Sequence, residues 1–225
     1  MFRENKDMHS IFTKLLGSAA VGASLLAMAN SASAADPESC KAVRFADVGW
    51  TDIQVITGIA SILFDGLGYA SEVKTLSVPV TYASLKNKDV DVFLGNWMPS
   101  MTADVKPYFD DKSVEQLAPN LEGAGYGVVV PQYVADAGVK SIADLAANKD
   151  KFNGKFYGIE SGNDGNRIIQ TMIDDAKNNL AGFELVESSE AGMLTEAEKA
   201  MKNNEWILFL GWTPHPIMGD MKIHY

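Results

Sequence analysis

The chain has 225 residues, 47% hydrophobic and 21% charged, with a net charge of −10 at pH 7. That length and apolar share suit one or two globular domains with a core of their own. The acidic excess makes phosphate backbones and anionic lipid surfaces poor partners, so neither nucleic acid nor a membrane surface is expected, and cationic or neutral ligands fit better.

The first predicted element is a leader. Lys14 precedes an apolar run from Leu15 to Ala29, and Ala32-Ser33-Ala34 has the A-x-A form of a cleavage site. Residues 1–34 therefore read as a secretory signal peptide cut after Ala34. The run is too short for a comfortable membrane span. "MFRENKD" is acidic for the start of a signal, which makes Met8 a candidate initiator. Residues 1–34 include Arg3, Lys6, Lys14, Glu4 and Asp7, so the exported remainder is more acidic still, at net −11. Cys40 is the single cysteine. In an exported protein it is either an inert or intermolecular thiol, or one half of a disulfide whose partner lies outside this chain.

"AVRFADVGW" reads as a strand ending in a loop. "TDIQVITGIASILFDGLGY" follows with Ile53, Ile56, Ile59, Ala60, Leu63 and Leu67 at helical spacing, Thr51 or Asp52 as N-cap and Gly68 as C-cap. "SEVKTLSVPV" reads as a strand, "TYASLKNKD" as a short helix or turn, and "VDVFLGN" as a strand buried on both faces. A second unit starts near 122. "GAGYGVVVP" is a glycine-rich turn into a strand, "SIADLAANKDKF" a capped helix, "GKFYGIE" a strand and "SGNDGNRIIQTMIDDAKNNL" a loop into a helix. "FELVES", "SEAGMLTEAEKAMKNNE" and "WILFLGW" are strand, helix and strand. Alternating strands and helices predict an α/β fold. The expected boundaries are a first lobe over 35–121 and a second over 122–225. The first lobe gives only about three strands, a thin sheet with bare edges and faces, so a longer natural chain whose tail completes it is expected.

No G-x-S-x-G, H-E-x-x-H, Walker A or G-x-G-x-x-G string occurs, and no cluster has metal-ligand spacing. No catalytic residue, metal or cofactor is therefore assigned. His215, in "TPHP", reads as a loop residue, and Asp47 with Asp52 as capping and turn chemistry. What remains is aromatic. Trp50, Trp97 and Trp212 lie just past strands, and Tyr126 lies in a glycine-flanked turn. Trp206 and Tyr69 sit elsewhere and fit a core role. In open α/β sheets, ligands gather at the carboxyl ends of strands. Two aromatics from each unit would then face each other across a cleft; the rival reading is that they are ordinary core aromatics. "FLGNWMP" and "FLGWTPHP" repeat one device: Gly frees the backbone at the strand end, Pro stiffens the loop, and the Trp is left facing the cleft.

Such a box suits a quaternary ammonium. That group has no N–H, and its charge is spread over apolar methyls, which aromatic faces both bury and attract. At up to about 2 kcal/mol per desolvated contact, four walls give about 8 kcal/mol before entropic costs, on the micromolar scale.

"VRFADVGWTDI", "LSVPVTYASLKNKDVDVFLGNWMPSM", "EGAGYGVVV", "YGIESGNDGNR" and "ILFLGWTPHPIM" together resemble the glycine-betaine and choline branch of the substrate-binding proteins of bacterial ABC importers, over about residues 40 to 220. The resemblance implies a two-lobed, type II periplasmic fold with the ligand cleft between lobes. It implies an aromatic box of Trp50, Trp97, Tyr126 and Trp212, with Asp52 and Asn163 contacting the ligand hydroxyl. It further implies choline as ligand, an inner-membrane permease as partner, and a periplasmic monomer. Family members run on past this chain's last residue to return to the first lobe, with a disulfide from an early to a late cysteine, which would give Cys40 its partner. Two rival functions remain. A betaine receptor would have to seat a ligand carboxylate near Asp52. A choline-ester hydrolase would need a base for Ser161, which has no histidine close in sequence.

Overall fold

A computed structural model describes residues 37–225, and the predicted signal peptide lies outside the described residues. Two compact units divide the chain at residue 41. Of the first, the described part is a single 3-10 turn, Glu38–Cys40, with the Cys40 thiol exposed and unpaired. The second, Ala42–Tyr225, carries every other element.

Its first half is built on strands β1 (Ala42–Asp47), β2 (Ala70–Thr75) and β3 (Val92–Phe93), all parallel in the order β2-β1-β3. Helix α1 (Thr51–Gly66) joins β1 to β2, and α2 (Val78–Asn87) joins β2 to β3. Helix α3 (Thr102–Asp110) follows β3. The second half holds β4 (Gly125–Pro131), short helices α4 (Gln132–Asp136) and α5 (Ile142–Ala147), β5 (Lys155–Tyr157), α6 (Asp164–Asp174), β6 (Glu184–Val186) and α7 (Glu190–Lys202). It closes with β7 (Phe209–Thr213), α8 (Ile217–Asp220) and β8 (Ile223–His224). Its sheet runs β6-β5-β7-β4-β8.

Several expectations need correcting. The second sheet is mixed: β5 runs parallel to β6 and β7, but β4 runs antiparallel to β7 and β8. Alternation of strands and helices reveals crossovers but not the direction of a strand that enters from a long loop. "SVPV" is no strand. β2 ends at Thr75 and α2 starts at Val78, with Pro79 in its first turn, where the missing N–H costs nothing. β3 has only two residues, both half-buried, so it is not buried on both faces. Helix α3 escapes periodicity because it is short and carries an internal Pro107. "MKIHY", which offers no turn signal, supplies edge strand β8.

At α1, Trp50 and not Thr51 or Asp52 occupies the N-cap position, without a capping side chain. Leu67 is the C-cap. Gly68 is one residue further on, with φ +91°, and the Tyr69 N–H returns to the Phe64 carbonyl at 3.0 Å, a Schellman closure. The helical spacing of α1 is real, but its apolar stripe is only partly covered. Ile53 is 2% exposed, whereas Ile59, Leu63 and Leu67 are 55%, 61% and 75% exposed. One core cluster runs through both halves, with Tyr82, Val78 and Met101 from the first; its larger share lies in the second, where Phe156, Phe209 and Val129 of the sheet and Leu208 just before β7 join Ile169 of α6 and Met193 of α7.

Candidate functional site

Four aromatic rings form a continuous row where the two halves meet. Trp50 and Trp212 have centroids 6.4 Å apart, Trp212 and Tyr126 6.2 Å, and Tyr126 and Trp97 5.6 Å, with interplanar angles of 54°, 47° and 37°. Such tilts are those of rings packed at an angle to one another rather than in a parallel stack. Tyr126 and Trp212 are register partners on antiparallel β4 and β7, which brings their side chains together on one face. Trp212 thus lies within its strand, not past it. Trp50 stands in the loop after β1, and Trp97 in the loop between β3 and α3. The Trp97 carbonyl accepts from the Ser100 hydroxyl at 2.9 Å and from the Met101 N–H at 2.8 Å, which fixes that loop.

Both "FLG" strings lead to a tryptophan of the row, but the glycines serve close packing rather than turning. Neither Gly95 nor Gly211 has a left-handed φ. A Cβ on Gly95 would lie 2.8 Å from the Phe93 ring, and one on Gly211 2.3 Å from the Val129 side chain. The Met98–Pro99 and Thr213–Pro214 bonds are both cis.

Carboxylates surround the row. The Trp212 indole donates to Asp52 Oδ1 at 3.1 Å, and the Trp50 indole donates to Glu160 Oε1 at 2.9 Å. Each half's tryptophan is therefore held by a carboxylate of the other half. Asp52 Oδ2 is buried without a partner. Burial pushes the carboxyl groups of Asp52, Glu160 and Asp164 above their ordinary range. Burial also raises the Tyr126 hydroxyl, reinforced by the charges of Asp164, Glu160 and Asp52.

Asn163, expected at the ligand hydroxyl, is the N-cap of α6. Its Oδ1 accepts from the Asn166 N–H at 2.8 Å and its Nδ2 donates to the Glu160 carbonyl. It fixes the strand-to-helix turn that carries Glu160 and Asp164. Asp47 does turn chemistry, accepting from the Gly49 N–H.

Sequence reasoning passed over Glu160, Asp164 and Glu190. The first two flank Asn163 in "GIESGNDGN", just past β5, so the rule that ligands gather at strand ends could have found them. Glu190 looks like any acidic residue after a Ser cap. Yet its carboxylate accepts from the Thr51 N–H at 2.9 Å, from the Thr51 hydroxyl, and from His215 Nε2 at 3.1 Å. His215 Nδ1 accepts from the Ile217 N–H at 3.2 Å, which places the ring proton on Nε2. His215 is a loop residue as expected, but buried, and it meets Trp212 edge-on at 4.9 Å. Glu190 thus satisfies the first N–H of α1 from across the interface. Burial opposes its charge, but the bonds from His215 and Thr51 outweigh burial and hold its carboxyl below the usual range. A lowered folded value means that its contribution to stability is present above the unfolded value and lost as pH falls through the folded one. Glu190→Gln should therefore lower stability near neutrality by about 1–3 kcal/mol, because one acceptor becomes a donor facing a donor. The loss relative to the parent should shrink in acid. Thermal unfolding across pH checks this, and an unchanged midpoint at neutral pH would remove the role.

Residues 41–225 match the family described as the substrate binding domain of the ABC-type glycine betaine transport system, OpuAC. The chain belongs to that family. An ABC-transporter choline binding protein, solved in complex with choline, is 55% identical, covering 84% of this chain with a TM-score of 0.81. The chain spans 66% of that protein, just under two thirds. Lactococcal OpuAC, solved closed with glycine betaine, is 28% identical over 82% of this chain and 70% of its own, with a TM-score of 0.71. An uncharacterised protein ORF1 of Chromohalobacter salexigens is 56% identical over 129 residues, 57% of this chain and 83% of its own. The fold is thus the two-lobed, type II form with the ligand cleft between lobes, and the row of rings lies where those lobes meet. Among the described residues, no helix is long and apolar enough to cross a membrane.

Proposed function

We propose that the chain captures choline in the cage of Trp50, Trp97, Tyr126 and Trp212 and delivers it to an inner-membrane ABC permease. On this reading it is a periplasmic monomer, exported by residues 1–34, and divided into lobes over 35–121 and 122–225. The observation that carries the reading is the pairing of four tilted rings with buried carboxylates. Rings bury the methyls and attract the cation, and the carboxylates add the counter-charge that the rings supply only in part. Asp52 Oδ2, lacking a donor, is free to accept from a ligand hydroxyl. A betaine carboxylate in that place would bring no donor and would meet like charge. The choline-ester reading gains no base from His215, whose two nitrogens are committed to Glu190 and Ile217. Asn163 remains a contact to the hydroxyl on this reading through amide valences that its cap leaves free.

Asp52→Asn tests the assignment. It keeps the size and an acceptor for the Trp212 indole while removing charge. Choline binding should weaken by about 1.5–3 kcal/mol, the worth of a charge-assisted bond. The preference for choline over betaine should narrow, with thermal stability little changed. Titration of both ligands by tryptophan fluorescence reads the outcome. A preference that stays as it was, with lowered stability, would assign Asp52 to structure and leave Asn163 to test next.

A further inference from the structure

Asp52 and Glu160 have indole partners at the Trp50–Trp212 end of the row. Asp164 has none. It is the first residue of α6, 1% exposed, and neither of its carboxylate oxygens meets a donor. The groups around it spend their protons elsewhere. The Ser100 hydroxyl donates to the Trp97 carbonyl at 2.9 Å in this rotamer, and it stands close enough to Asp164 to draw that carboxyl back down against burial. The Arg167 guanidinium forks onto Asp104 at 2.7 and 2.8 Å and reaches the Ser100 carbonyl at 3.0 Å. The Tyr82 hydroxyl donates to Asn96 Oδ1 at 2.7 Å. Asp164 also lies against the other end of the cage. Its chain neighbour Gly165 packs so closely on Tyr126 that a Cβ there would be 2.1 Å from the phenol oxygen. Its side-chain neighbour Ser100 hangs from the backbone of Trp97.

Buried polar groups are nearly always hydrogen-bonded, and an unpaired buried charge costs several kcal/mol. A carboxylate left this way beside aromatic rings is stabilised by positive charge brought close, and close packing by rings favours a cation that carries its charge on apolar groups. A quaternary ammonium is that cation: it has no N–H to give, and its attraction depends on distance rather than alignment.

We propose that Asp164 is the counter-ion of the cage, recognising the charge of the bound ligand from the Trp97–Tyr126 end, while Asp52 Oδ2 serves the hydroxyl. This rests on the choline reading and divides that ligand's two chemical features between two carboxylates. The site then selects monocations, and a zwitterion gains less because its own anion meets the second carboxylate. Burial raises the Asp164 carboxyl, and a bound cation would bring it back down.

The test uses choline and neohexanol, the neutral analogue in which a tert-butyl group replaces the trimethylammonium. Calorimetric titration of the parent and of Asp164→Asn reads both ligands. The variant should lose about tenfold or more in choline affinity, through lost attraction in a low-dielectric site, and hold neohexanol within about twofold. The ligand-free variant should also melt higher than the parent, because an unpartnered charge has gone. Equal weakening of both ligands would make Asp164 a positioning residue and overturn the proposal. So would unchanged choline affinity. Should the asparagine variant fail to fold, Asp164→Ser is read against the same two ligands, with the same outcomes. A parent that binds neither ligand removes the choline reading itself, a result distinct from a variant that binds both alike.

Discussion

Trp212→Ala is expected to cost more choline affinity than truncation of any other cage ring, about 3 kcal/mol or 150-fold. Three observations set that size. Trp212 is one of the two inner rings of the row, touching both Trp50 and Tyr126. It is 2% exposed, so its removal leaves a cavity as well as a missing wall. It also donates to Asp52, so the variant loses the bond that orients the carboxylate at the hydroxyl end. Trp97→Ala removes a terminal ring with one neighbour in the row and should cost less, about 1–2 kcal/mol. Trp→Phe at either site should cost less again, since a smaller face remains. Fluorescence or calorimetric titration separates these variants. If both alanine variants bind choline as tightly as the parent, the cage is an ordinary core and the proposed function fails.

Gly165→Ala is the second large effect, and its sign runs against helix propensity. In the first turn of α6 an alanine should favour the helix by up to about 1 kcal/mol over glycine. Here the new methyl would meet the Tyr126 oxygen at 2.1 Å and Leu210 at 2.7 Å. The phenol is held between Trp97 and Trp212, so it cannot yield without moving a wall of the cage. Overpacking of this kind costs about 1–3 kcal/mol in stability. Choline affinity should fall about tenfold or more as Tyr126 is displaced. Tyr126→Phe in the same chain should recover part of both losses by removing the nearest atom. A Gly165→Ala protein with parental affinity and stability would show that Tyr126 does not rest on this helix.

What the sequence made legible follows from the kind of signal each residue carries. The four rings could be singled out because tryptophan is rare and stood at predicted strand ends, and their family resemblance named the same four. Their meeting in one row needed the antiparallel pairing of β4 with β7, and no local pattern discloses which strands are neighbours. The helix of α1 was readable from its spacing. Its half-bare stripe of Ile59, Leu63 and Leu67 was not, because periodicity reveals that a face is apolar and is silent on what covers it. The carboxylates were hardest. Glu160, Asp164 and Glu190 are ordinary acidic residues in an acidic chain, and their meaning lies in partners between 25 and 139 positions away in sequence, or in having no hydrogen-bond partner. Asn163 shows the converse. Its string was conspicuous, yet the structure spends its amide first on starting a helix.

The crossed bonding of the indoles, Trp50 to Glu160 and Trp212 to Asp52, has a kinetic consequence. Each indole N–H finds its acceptor on the other half, so separating the halves would break both bonds. On the proposed function, a ligand would leave through an event that breaks both hydrogen bonds, whereas it would enter an already open cleft without breaking either. On the proposed function, residence time, more than capture rate, is where this site would discriminate. Ligands with the same head group should arrive at similar rates and differ in how long the door stays shut behind them.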